Sequence, residues 1–269
     1  MSLRAELLAA LRQNWPHYLA EAAGLAVFVG CTSLLSIALE HPASALHQAL
    51  AGRGVGEALR RVPLGIGMGL VIAGITYSPW GRRSGAHLNP AMTLAFWQLG
   101  KISRADALWY GLAQAGGGFG SVWLLKTLLF QYYSHPSIHF GTTQPGPDGP
   151  WLAFGAEFII AFGLVLVSLL ALHSARLHKV AGWLGAALVA VYVIWESPSS
   201  GMGLNPLRSL ASAVAARDYT GLWIYLLAPP AAMWLAAALF QHFRPRLGNQ
   251  GAAAAVATEP PHYPDPTAG

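Results

Sequence analysis

Residues 84–95 read SGAHLNPAMTLA and residues 200–211 read SGMGLNPLRSLA. Aligned without a gap, the two agree at seven of twelve positions, and Thr93 stands opposite Ser209. An internal repeat fixes architecture more firmly than any single segment. In both copies Asn precedes Pro, at positions 89–90 and 205–206. Pro suits the first turn of a helix, where its missing N–H would be unpaired anyway, and Asn is a preferred N-cap. The reading is therefore two helix starts in matched contexts, each followed by a short helix-compatible run, 89–99 and 205–216.

The surroundings of the two copies are apolar. The chain has 269 residues, 54% hydrophobic and 10% charged, against about 25% charged in an ordinary globular domain. A bilayer-spanning helix needs about 20 mostly apolar residues, and six stretches qualify: 17–39, 62–78, 106–133, 151–172, 180–196 and 220–240. Both Asn-Pro runs are too short to cross about 30 Å of hydrocarbon, so each is predicted to re-enter the membrane and stop near its middle. With three spans in each half, the second half enters from the opposite side and the repeat is inverted. Each half also carries an Ala-Glu step inside an apolar helix, Ala20-Glu21 and Ala156-Glu157. The glutamates lie 136 residues apart and the Asn-Pro pairs 116; the difference matches the long first connection between residues 40 and 61.

One domain, 1–246, accounts for all of this, with halves at about 17–133 and 151–243. The remaining 247–269 is rich in Pro, Gly and Ala and is expected to be disordered. The N-terminus has no apolar run ending in a small-residue cleavage site, so the first span is expected to do the targeting. A net charge of +5 is dispersed over the connections and forms no patch for nucleic acid. Its distribution fits cytoplasmic N- and C-termini, with Arg53, Arg60 and Arg61 as the main exceptions. Cys31, the single cysteine, has no partner for a disulfide and receives no role.

On these residues the chain resembles the aquaporins, or major intrinsic proteins, over all but its termini. SGAHLNPA at 84–91 matches the first signature loop of that family, and GLNPLRS at 203–209 resembles the second, whose usual form is Asn-Pro-Ala-Arg-Ser. TyrGlyLeuAlaGln at 110–114, AlaGluPhe at 156–158, and TrpIleTyr at 223–225 followed by Pro229 look like its third, fourth and sixth helices. The resemblance implies an all-α membrane protein of six transmembrane helices and two re-entrant half-helices. It also implies a multi-pass channel in the cell membrane, a homotetramer with one pore per subunit, and no cofactor, metal or catalysis.

Helix ends give the mechanism expected of such a channel. Two half-helices meeting head to head place a positive potential at mid-membrane, and the amides of Asn89 and Asn205 can donate to a passing oxygen, orienting water against proton relay. Pro90, Ala91, Pro206 and Leu207 support the two caps. Carbonyls of 86–88 and 201–203 can line the path. Arg208 matches the family's constriction arginine. The other positions implied for that constriction are Val193, Met202, and either Met68 or Gly69, according to how the loop at 79–83 is counted. Valine where strict water channels carry histidine makes this filter apolar and raises ammonia, urea or glycerol as permeants. Ser209, Ala213 and Tyr225 instead look like the water-selective branch. Leu207, in place of the usual alanine, is expected to crowd the half-helix start and bears on the pore's width. Glu21 and Glu157 are expected to accept hydrogen bonds from the re-entrant backbone, with Gln114 in a similar role.

Other features carry no chemistry of their own. His87, His173 and His178 lack metal-ligand spacing and read as satisfied or solvated histidines. Glu196 reads as a solvated residue at the outer mouth. GlyGlyGlyPheGly at 116–120 lies inside an apolar helix and reads as helix packing, and no HExxH or nucleophile elbow is present. Two classes other than a channel use related architectures: an ion-coupled secondary transporter with broken helices, and a scaffold whose pore is blocked.

Overall fold

The computed structural model describes residues 2–243, so the tail expected to be disordered, 247–269, lies outside the described residues. In chain order the helices are α1 (Leu3–Glu40), α2 (Ala45–Ala51), α3 (Glu57–Tyr77), α4 (Pro79–Ser84), α5 (Pro90–Gln98), α6 (Arg104–Leu128), α7 (Phe130–Tyr133), α8 (Pro150–Leu172), α9 (Ala181–Trp195), α10 (Ser197–Ser200), α11 (Pro206–Ala216) and α12 (Leu222–Phe243). Among the described residues there is no strand. The crossing helices are α1, α3, α6, α8, α9 and α12; α5 and α11 are the half-helices. Among the described residues five stretches, α1, α3, α8, α12 and His178–Trp195, are both long and apolar enough to cross a membrane. The remaining helix, α6, has the length at 25 residues, but Gln114, Ser121 and its run of glycines dilute its hydropathy.

Several features differ from the expected spans. The first helix begins at Leu3 and not at 17, because Ser2 caps it and the Leu-, Ala- and Arg-rich N-terminus continues the helix through Pro16. At about 1.5 Å per residue its 38 residues reach well past the hydrocarbon. The third crossing helix stops at Leu128, where Leu129 leaves helical geometry (φ −126°, ψ 32°), and a separate turn, α7, follows. The long first connection is not a plain loop, since Ser44 caps α2 by accepting from the His47 N–H. A two-pronged bond closes that connection, with Arg60 Nε and Nη2 donating to Glu40 Oε2 at 3.1 and 2.7 Å.

Small residues set the helix spacings. A Cβ on Gly117 would stand 2.0 Å from the Ala22 carbonyl oxygen, so α1 and α6 touch backbone to backbone there. Cβ atoms on Gly65 and Gly69 would meet the Ala190 and Ala186 carbonyls at 2.6 and 2.7 Å, bringing α3 against α9 across the junction of the halves. Within the halves, α1 packs on α6 and α8 on α12. The half-helices cross over: α5 packs chiefly on α12 and α11 on α6. Overpacking of this kind cannot relax by side-chain motion, because the obstacle is backbone. Gly117→Ala is expected to cost about 1–3 kcal/mol, read as a lower melting temperature of the detergent-solubilised protein.

Candidate functional site

The site is built on two helix caps. Asn89 Oδ1 accepts from the Ala91 N–H at 2.9 Å, and Asn205 Oδ1 accepts from the Leu207 and Arg208 N–H groups at 3.1 and 3.2 Å. Both residues have extended backbone, and Pro occupies the first helical position after each. The caps then reach across to one another. Asn89 Nδ2 donates to the Leu204 carbonyl at 2.9 Å, and Asn205 Nδ2 donates to the Leu88 carbonyl at 2.7 Å. A primary amide has two N–H groups, so each asparagine retains one beyond this exchange. The two half-helix tips are thus tied together, in line with the inverted repeat read from 84–95 and 200–211.

The loops leading to the tips are shaped alike. Gly85, Ala86 and Leu88 have positive φ, and so do Gly201, Met202 and Leu204 at the matching positions. For residues with a Cβ this conformation costs roughly 1–2 kcal/mol each, and buried acceptors hold it. Glu21 accepts from the His87 and Leu88 N–H groups at 2.9 and 2.6 Å, and Glu157 accepts from the Gly203 and Leu204 N–H groups and from Ser200 Oγ. Gln114 Nε2 donates to Glu21 at 2.8 Å and to Thr93 Oγ1 at 3.1 Å. Glu21 and Glu157 thus each meet the backbone of one re-entrant loop, and Gln114 ties Glu21 to α5.

Two tyrosines have equivalent hydrogen-bonding roles that the sequence reading did not assign. Tyr110 OH donates to the Ser84 carbonyl at 2.7 Å, and Tyr225 OH donates to the Ser200 carbonyl. Both belong to stretches quoted for their family likeness, and the signal available was that each half places a tyrosine in its third crossing helix. Lys126 was also unread: its Nζ donates to the Ala215 carbonyl at 2.6 Å, placing a cation at the C-terminal end of α11, where it complements the helix dipole.

Two cavities lie near these tips and share Met68, Met202 and Arg208. One, about 220 Å³, opens on the face where α1 begins and is lined by Asn89, Asn205, His87 and Phe96 among others. The other, about 580 Å³, opens on the face where α1 ends, beneath the first connection, and includes Glu40, Arg60, Arg61 and Val193. Met68, Met202 and Arg208 line both. Gly69, the alternative to Met68, faces Ala186 and lines neither. Leu207 lines neither as well, and Asn205 caps its helix despite the larger neighbour. Among the described residues Arg208 takes part in no ion pair, and its buried Nη1 has no hydrogen-bond partner.

Glu196 needs correction, and His87, hydrogen-bonded to Thr93, also lines the smaller cavity. The Thr93 hydroxyl donates to the Asn89 carbonyl at 3.1 Å, so His87 Nδ1, 3.1 Å from Thr93 Oγ1, donates to that hydroxyl, and Nε2 of the neutral ring is left as an acceptor. Glu196 is not solvated: both its carboxyl oxygens are buried. Glu196 is followed directly by the single helical turn α10, for which it is the N-cap. Among the described residues no group of His, Cys, Asp and Glu could hold a metal.

Six crossing helices and two oppositely inserted half-helices joined tip to tip define a multi-pass membrane protein of the inverted-repeat class. The sequence pattern of the major intrinsic protein family matches residues 9–240, and the chain belongs to that family. It is 36% identical over 163 residues to "Aquaporin NIP2-2" of Zea mays, covering 60% of this chain and 53% of that protein. It is 37% identical over 162 residues to "Aquaporin NIP1-3" of Oryza sativa subsp. japonica, covering 60% and 54%. These matches span about half the length of the curated relatives. The fold is similar to that in the "X-ray structure of the aquaglyceroporin from Plasmodium falciparum", with a TM-score of 0.71 and 21% identity over 86% of this chain and 97% of that one.

Proposed function

We propose that the chain is a passive, proton-excluding channel for water and small uncharged solutes. The observation that carries this reading is the crossed pair of hydrogen bonds between Asn89 and Asn205 and the opposing loops, on the wall of the smaller cavity, which shares Met68, Met202 and Arg208 with the larger cavity on the opposite face. Each tip presents about half a positive charge, which opposes cations and protons. The remaining amide N–H of each asparagine donates to a permeant oxygen, so a water there cannot also accept a proton from its neighbour. Met68, Val193, Met202 and Arg208 form the constriction in this reading, and Arg208 supplies both a donor and a fixed charge. The cell membrane, cytoplasmic termini and a homotetrameric assembly belong to the same proposal.

Stopped-flow light scattering on proteoliposomes tests it. A channel gives osmotic water flux with a low activation energy and no ion dependence. Dependence on sodium or protons indicates a coupled transporter, and flux no greater than that of empty vesicles indicates a scaffold.

Val193 favours a second, wider solute range. Three of the four constriction side chains are apolar, and Val193 leaves one wall without a polar group. Val193→His adds both bulk and a donor there. Glycerol or urea flux is expected to fall roughly tenfold relative to water, measured on the same vesicles.

A further inference from the structure

The second re-entrant loop has a carboxyl that the first lacks. Beside Glu21 stands Gln114, whose amide donates to it. Beside Glu157 stands another acid, Glu196, which follows the last residue of α9. The Glu196 carbonyl accepts from the Ser199 N–H at 2.7 Å and from the Ser200 N–H at 3.4 Å, so this residue starts the single turn of α10 that leads into Gly201–Leu204. Its two side-chain oxygens are buried, and neither has a hydrogen-bond partner among the described residues. No ion pair there includes it.

The polar groups facing Glu196 come from three elements: Glu157 on α8, Tyr225 on α12 and Ser200 on its own turn. None is a cation. Tyr225 already spends its proton on the Ser200 carbonyl, and Ser200 spends its own on Glu157. Two carboxyls in one dry pocket cannot both ionise cheaply. Glu157 has donors on both oxygens and must act as acceptor, so the proton of the pair belongs on Glu196. Burial, with the Glu157 charge adding to it and Ser200 opposing, pushes the Glu196 carboxyl up to about 7.

We infer that Glu196 is a positioning residue for the second re-entrant loop and works through its protonation state. As the neutral acid it lets α10 and Gly201–Leu204 stay packed on Glu157; as the carboxylate it drives them toward solvent and disturbs the constriction that Met202 and Arg208 form. This rests on the channel reading above. The sign follows from the direction of the shift: a carboxyl held above its ordinary 4.5 in the packed loop costs nothing when both states are protonated. It penalises the packed state increasingly as pH rises from that value to about 7.

Two measurements test the inference. Water permeability of proteoliposomes is expected to drop severalfold between about pH 6 and about pH 8, with Glu196→Gln flat at the acid-form level and Glu196→Asp still pH-dependent. A flat wild-type profile overturns the proposal. So does a profile that survives Glu196→Gln but is removed by His41→Gln, His47→Gln, His135→Gln or His139→Gln, the histidines near this face. The second measurement is hydrogen exchange of the wild-type protein, comparing amides 197–204 with the equivalent amides 81–88 at each pH, so that the intrinsic pH effect cancels. Selective loss of protection at 197–204 as pH rises supports the inference even if no variant assembles and no flux is seen, and equal behaviour of the two loops overturns it. Absence of flux at any pH would count against the channel reading alone.

Discussion

Glu157→Leu is expected to abolish water flux and to leave little correctly assembled protein. Glu157 is fully buried and accepts from Ser200 Oγ, Gly203 N–H and Leu204 N–H. Leucine fills the space but accepts nothing, and each orphaned buried donor costs about 1–3 kcal/mol. Three such losses rival the whole stability of many proteins, about 5–15 kcal/mol. They fall on a loop already held in left-handed geometry at Met202 and Leu204. Size-exclusion chromatography in detergent, run beside the vesicle assay, reads both consequences. An assembled variant with normal flux would show that the carboxylate does not hold this loop.

Arg208→Val has a different expected signature, with assembly preserved and selectivity lost. Among the described residues Arg208 has no ion-pair partner to be stranded by its removal, and its side chain lines both cavities. Removing the guanidinium takes away a charge whose burial is costly in its own right, so stability is expected to hold or improve. It also removes a fixed positive charge from a low-dielectric constriction and widens it. Uncharged solutes larger than water are expected to pass roughly tenfold faster, with a proton or cation leak appearing under an imposed pH gradient. Unchanged permeability ratios would remove Arg208 from the constriction.

The sequence made the architecture readable because its strongest signals are local. Asn-Pro caps, apolar run lengths and a gapless internal repeat are each set by a few neighbouring residues, and they placed α5 and α11 to within a residue or so of their observed ends. The roles of Glu21 and Glu157 came instead from resemblance, since a carboxylate in an apolar helix does not show which backbone will come to meet it. Helix ends outside the apolar windows were less legible. The start of α1 depends on a cap at Ser2 and on helix-forming residues without a hydrophobic run, and α2 depends on one serine in the middle of a connection. Glu196 was misread because exposure is a property of packing. A glutamate at the end of a span looks solvated until the turn that buries it is known.

The crossing over of the half-helices has a consequence for how the chain matures. Because α5 packs chiefly on α12 and α11 on α6, neither repeat is a self-sufficient folding unit. During synthesis α5 enters the bilayer long before α12, its main neighbour, has been translated, and it must be tolerated in the membrane without the surface that will finally cover it. Glu21 and the Gln114–Thr93 bond give that early element a foothold drawn wholly from its own half, so the late-arriving helix closes a structure whose first tip is already oriented.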